Sequence, residues 1–166
     1  MAKLTKEQKQ KWCEQQELID WEIMVNNFSG YGVTQFQMIE QLPRYSEIDY
    51  QASALTETKE LKAVYAIEFK NRFGYDANSP IIRKEGIFIE PDKYASLLDE
   101  WRFEGKIPLY ICAWKDGYIS VHNLTKLSHK PKYDPRRNIK KSYDGDKTYE
   151  GRFYLDIGDA VWLKMK

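Results

Sequence analysis

A chain of 166 residues with 42% hydrophobic and 31% charged residues has the make-up of one globular domain with a sizeable core, with little room for long disorder. No apolar run nears the roughly 18–20 residues that span a bilayer, and the charged start lacks the apolar stretch of a signal peptide. The two cysteines, Cys13 and Cys112, offer neither a metal-ligand spacing nor a disulfide framework, which points to a reducing, cytoplasmic setting.

The spacing predicts a first helix over residues 6–27, with Thr5 as its N-cap. Leu18, Trp21, Met24, Val25 and Phe28 fall on one arc of it, with Glu14 and Glu17 inside the same arc and Glu22 at its edge. Carboxylates are uncommon on the packed side of such a helix; either they reach water beyond the packed part or they serve a site. Ile19 and Ile23 lie elsewhere on the wheel and suggest a second contact, such as the partner in a homodimer. Glycines 30 and 32 end the helix. Residues 33–42 alternate loosely as a strand.

Residues 47–55 and 64–70 read as two strands joined by a polar turn at 57–61, an antiparallel hairpin. In the second of them, Val64, Ala66, Glu68 and Lys70 share one face, and Tyr65, Ile67 and Phe69 the other. A strand apolar on both faces is central and covered on both sides. Two charges at its end are costly to bury unless something pairs with them or binds there. Antiparallel pairing brings Asp49, near the start of one strand, to the Glu68–Lys70 end of the next.

Residues 71–86, with Arg72, Arg83 and Lys84, are expected to be a loop long enough to be functional. A short strand at 86–89 leads to a second helix. Pro91 opens it, Tyr94, Leu97, Leu98 and Trp101 stripe it, and Gly105 stops it. Residues 108–114 and 118–124 form a hairpin about Asp116-Gly117. The segment 125–151 is basic. Its Arg136, Arg137, Lys140 and Lys141 can attract phosphate backbones, or the segment is simply a solvated loop. A C-terminal strand at 152–163 closes the chain. The order of elements implies a single α/β (α+β) domain over residues 1–166, built on a central mixed sheet flanked by helices.

Asp49, Glu68 and Lys70 are the residues that carry chemistry. Two carboxylates at adjacent strand ends are hard oxygen donors of the kind Mg²⁺ takes, together with water and a substrate phosphate. Such a metal polarises a phosphoryl oxygen and lowers the pKa of its water. A neighbouring lysine can stabilise charge developing on phosphate, or act on the water if its own pKa is depressed. Four other acid-x-lysine runs occur, such as Glu57-Thr58-Lys59, so the tripeptide means little without its place on an apolar strand beside Asp49. The bland alternative is an edge salt bridge in water. His122 and His129 have no partners at triad spacing. The 12 Tyr, 7 Phe and 5 Trp could stack on unpaired bases, but aromatic residues more often pack.

With a helix bearing an inward glutamate, Asp49 opening one strand and Glu68-Phe69-Lys70 closing the next, then a helix and a strand, the chain resembles the PD-(D/E)xK nuclease superfamily. The likeness runs over residues 14–124 and is closest at Tyr65-Ala66-Ile67-Glu68-Phe69-Lys70-Asn71-Arg72. It implies a restriction-endonuclease-like core similar to small phage or bacterial nucleases and Holliday-junction resolvases. The activity implied is a Mg²⁺-dependent endodeoxyribonuclease, with Mn²⁺ able to substitute. The resemblance assigns Asp49 and Glu68 to the metal and Lys70 to the water or the scissile phosphate. It adds a glutamate from the first helix, Glu17 before Glu22. Ile48 stands where the motif has proline, and Glu47 becomes the ligand if the register slips. DNA would be the partner, with Arg72, Arg83, Lys84 and the basic segment as contacts. The alternative reading is a nuclease-like fold that binds DNA or a protein without catalysis; a third, a domain handling a small molecule or lipid, requires a large apolar cavity.

Overall fold

The computed structural model describes residues 4–30, 35–141 and 147–166, without the side chains of 136–141 and 147–150. The first helix, α1 (Lys6–Phe28), begins with a capping box. Thr5 Oγ1 accepts from the Gln8 amide at 3.2 Å, and Gln8 Oε1 accepts from the Thr5 amide at 2.9 Å. Burial is confined to the far end of α1, at Ile23, Met24, Asn27 and Phe28. Leu18, expected on the packed arc, is exposed, and Ile23, expected to face elsewhere, is core. The packing face is turned from the predicted one because the sheet covers only the last two turns.

The strands β1 (Met38–Gln41), β2 (Tyr50–Leu55) and β3 (Leu61–Arg72) form an antiparallel meander. Next come a short helix α2 (Pro80–Glu85), strand β4 (Ile87–Ile89) and helix α3 (Pro91–Glu104). Then β5 (Ile107–Trp114) lies parallel to β3, and β6 (Tyr118–Asn123) turns back antiparallel to it. The strands β7 (Lys132–Lys141) and β8 (Lys147–Leu155) make a hairpin, and β9 (Ala160–Lys164) ends the chain. Among the described residues the central sheet has six strands in the order β1-β2-β3-β5-β6-β9, and a second sheet runs β4-β8-β7. The fold is therefore mixed α+β with a central mixed sheet flanked by helices. Among the described residues no helix is long and apolar enough to cross a membrane.

Several elements depart from the sequence-based expectations. The strand predicted for 33–42 is only four residues long, with 31–34 outside the described residues. The loop expected over 71–86 holds the end of β3 and α2, with Pro80 in its first turn. The basic segment is mostly a hairpin rather than a solvated loop. Pro135 disguised it, but this proline falls within the irregular stretch between Asp134 and Asn138, where a strand tolerates the missing donor. The C-terminal strand splits: β8 ends at Leu155, a 3₁₀ turn (Ile157–Asp159) reverses the chain, and β9 crosses to the other sheet.

Two cores form, one on each face of the central sheet. On one, Met24 and Phe28 of α1 pack on Tyr50, Ile67, Phe69, Leu109 and Ile111. On the other, Leu97 of α3 and Ile82 of α2 pack with Ala66, Tyr110, Cys112 and Trp114. Period-two alternation of β3 and β5 produces this division, and Glu68, opposite Tyr110 in the register, lies on the α3 face. Gly86 joins α2 to the second sheet at φ +92°, and a Cβ there would collide with the carbonyl oxygen of Leu155. We predict that Gly86→Ala destabilises the protein by on the order of 1–3 kcal/mol in urea unfolding, since β8 must retreat and the backbone is strained. Wild-type stability in this variant would show that β8 does not press on Gly86.

Candidate active site

Asp49 is held in a bend just before β2 rather than in a strand. Its amide donates to Ile67 O at 3.0 Å, and its Oδ2 accepts from the Phe69 amide at 2.8 Å. These two bonds lock its carboxylate beside the backbone on either side of Glu68. Glu47, the alternative ligand in a slipped register, is exposed, and its carbonyl accepts from Lys93 Nζ.

The Glu68 carboxylate is sealed from solvent. Lys70 Nζ stands 3.0 Å from Oε1, and Lys93 Nζ, from α3, stands 3.4 Å from Oε2. Neither ammonium is angled for a hydrogen bond, so both oxygens are ion-paired but unsatisfied as acceptors. Burial pushes the carboxyl up to about 7 and nearby Asp49 adds to this, against the pull of Lys70 and Lys93. Burial works the other way on Lys70, but Glu68, Glu90 and Asp49 outweigh it and hold the ammonium above the ordinary lysine range. Lys70 is therefore charged at neutral pH.

Beside Asp49 and Lys70 opens a cleft of about 710 Å³ whose walls include Glu17, Asp20, Arg44, Asp49, Tyr50 and Lys70, while the sealed Glu68 does not line it. Asp20 is the helix acid that sequence reasoning missed. It accepts from Asn71 Nδ2 at 3.4 Å, and burial, aided by Asp49 and Glu17, raises its carboxyl to about 6. Asp20 lies one turn before Met24, so a wheel centred on the residues that pack, instead of on Leu18, would have found it. Glu17 also lines the cleft, but its Oε1 accepts from Arg44 Nε at 2.6 Å. Glu14 and Glu22 are exposed away from it. Lys93 was missed as well; α3 brings it to Glu68 from 25 positions along the chain, and no local pattern marks it.

The expected DNA contacts are scattered. Arg72 is committed to the core: its Nη2 donates to Tyr110 Oη at 2.8 Å and to Phe88 O at 3.3 Å, and its guanidinium lies 3.9 Å from the Phe88 ring centre. Half-buried, Arg72 is thus held by contacts within the fold. Arg83 and Lys84 are exposed on α2, where Arg83 donates to Asn78 Oδ1. The side chains of Arg136, Arg137, Lys140 and Lys141 lie outside the described residues. His122 is buried on β6 against the Asp156 carbonyl, with its pKa lowered by burial, which is a structural role.

By donor chemistry, Asp49 and Glu68 are the candidate ligands for a divalent cation of the Mg²⁺ type. Asp49 and Glu68 supply hard oxygen donors, and burial and mutual repulsion raise Glu68, a cost that a cation relieves. Among the described residues no three acidic, histidine or cysteine side chains are grouped as a ready-made metal cage. Mg²⁺ does not require one, since it ordinarily keeps several waters and takes one or two carboxylates. No protein-family model, curated protein or solved structure matches this chain.

Proposed function

We propose that the protein is a Mg²⁺-dependent endodeoxyribonuclease of the PD-(D/E)xK kind, acting on DNA in the cytoplasm. The observation that carries this reading is a solvent-sealed glutamate between two ammonium groups, beside an aspartate that is fixed by two backbone hydrogen bonds and lines, with Lys70, an open acidic cleft. An arrangement this costly to bury is rarely kept for stability, because apolar residues would serve better. The order α1, antiparallel β1–β3, α3 and parallel β5 is consistent with the core that the resemblance implies.

Asp49 and Glu68 would hold the cation, which when bound polarises a phosphoryl oxygen and acidifies a water. Lys70, charged and lining the cleft, stabilises negative charge gathering on the phosphate. Asp20, with its carboxyl at about 6, can hold or release a proton near neutral pH and so serves proton transfer at the cleft wall. Of Ile19 and Ile23, the pair that suggested a homodimer contact, Ile19 is exposed beside Leu18 and Ile23 is core.

The second reading, a nuclease-like module that binds without catalysis, draws on one observation: Glu68 is already ion-paired by two lysines. Incubation with supercoiled, linear and branched DNA separates the two. The nuclease nicks or cuts with Mg²⁺ or Mn²⁺ and stops in EDTA. Binding without cleavage in every metal would leave the inactive module, and cleavage that survives chelation would remove the metal mechanism.

A further inference from the structure

We infer that the amino-terminal half of α1, together with Arg44, forms a track that leads an unpaired DNA strand into the acidic cleft. This rests on the reading of DNA as the substrate and goes beyond it by naming the strand's path and its single-stranded state. The starting observation is a helix of 23 residues with no buried side chain before Ile23. An amphipathic helix normally continues its apolar stripe. Followed back from Met24 in steps of three and four, this stripe instead reads Asp20, Glu17, Cys13, Lys9 and Lys6: carboxylates next to the apolar end, cations at the other.

Those cations line a second hollow of about 460 Å³, formed by Lys6, Lys9, Gln10, Cys13 and Arg44, with Glu14 beside it on the Gln10 amide. Arg44 belongs to both hollows, so the basic one runs alongside the acidic one. Its Nε is paired with Glu17, which fixes the guanidinium at the junction. Lys6 stands in the first helical turn, where the helix dipole disfavours a cation, so its placement does not serve helix stability. A chain of phosphates laid along Lys6, Lys9 and Arg44 meets positive charge until it reaches the acids and Lys70.

Trp12 supplies the second element of the track. Its indole lines the acidic cleft and is 56% exposed, on a wall otherwise polar at that end. An exposed indole beside a basic groove is a stacking platform for bases, and stacking needs an open base face, which a duplex does not offer. The amide of Gln16, on the cleft wall, can hydrogen-bond sugars or base edges without selecting sequence, while that of Gln10 donates to Glu14 at 3.0 Å.

The test is fluorescence anisotropy of a labelled oligo(dT) and of a blunt duplex, both in EDTA so that nothing is cut. Wild type is expected to bind oligo(dT) more tightly than duplex. Lys6→Gln/Lys9→Gln/Arg44→Gln should weaken oligo(dT) binding at least about 10-fold and lower the salt slope by about 1–2, since each phosphate left without its cation takes away roughly 0.7 and Arg44 is already shared with Glu17. Trp12→Ala should weaken it on the order of 10-fold with the slope unchanged. Circular dichroism checks that α1 persists, which both exposed substitutions permit. Wild-type affinity and slope in the triple variant, equal losses on duplex, or no binding of oligo(dT) by wild type would each overturn the track. A chain that binds through these residues but cuts no DNA keeps the track and loses the nuclease. One that cuts, with track variants cutting single strands equally well, loses the track alone.

Discussion

Replacing Glu68 with glutamine should abolish metal-dependent cleavage and, at pH 8, make the metal-free protein more stable than wild type. On the proposed reading, the first effect follows from losing one of the oxygens that would hold the cation. Several kcal/mol of transition-state stabilisation disappear with it, on the order of 10³-fold in rate. The second follows from where Glu68 sits. Its carboxyl titrates at about 7 in the folded chain against 4.5 when free. Between those values the folded state holds a proton that the unfolded state has released, so unfolding free energy falls as pH rises through the window. The proton-linked stability is fully present below about 4.5 and lost above about 7. At 1.36 kcal/mol per unit this amounts to about 3 kcal/mol. Asp20, raised from 3.8 to about 6, works in the same direction, with less effect because it is partly exposed. Urea melts of wild type and Glu68→Gln at pH 5 and pH 8 measure the difference. It should grow with pH and shrink again when Mg²⁺ is added to wild type at pH 8. A difference that is flat with pH would remove the burial argument, and one that ignores Mg²⁺ would remove the cation.

Lys70→Ala is expected to lower cleavage by about 10²–10³-fold, whereas Lys70→Arg keeps a measurable part of the rate. Glu68, Glu90 and Asp49 hold the Lys70 ammonium charged, so what it offers the phosphate is positive charge, which arginine also carries. A lysine acting as base would behave otherwise: arginine, which does not lose its proton, would be as inactive as alanine. Rates over pH 6–9 for the three proteins decide this. Equal inactivity of both variants, with a titrating limb present only in wild type, would reverse the role assigned to Lys70. Lys70→Ala should also destabilise the fold, because the buried Glu68 is left with Lys93 alone.

Much of the site's frame was readable one residue at a time. Alternation along β3 put Glu68 and Lys70 on one face, and the hairpin placed Asp49 at their level; both are properties of local geometry. The N-cap at Thr5, the Pro91 start, the Gly105 stop and the Asp116-Gly117 turn are also local, and each was found where expected. What escaped depends on long-range packing. Asp20 joins the cleft because the sheet supports only the last turns of α1, which rotates the helix away from the arc that Leu18 suggested. Lys93 reaches Glu68 because α3 crosses the same face of β3. Arg72, basic and next to the motif, is drawn inward by Tyr110 and Phe88, partners 16 and 38 positions away.

The two-faced central strand and the acid-x-lysine at its end are written into neighbouring residues, because side-chain alternation and burial cost act within a few positions. The groups that surround that carboxylate are not: two ammonium groups on the α3 face, and a cleft on its flank where Asp20 stands with Asp49 and Lys70. Charge and desolvation act through space, and the distances that set them arise only when the sheet and both helices are in place.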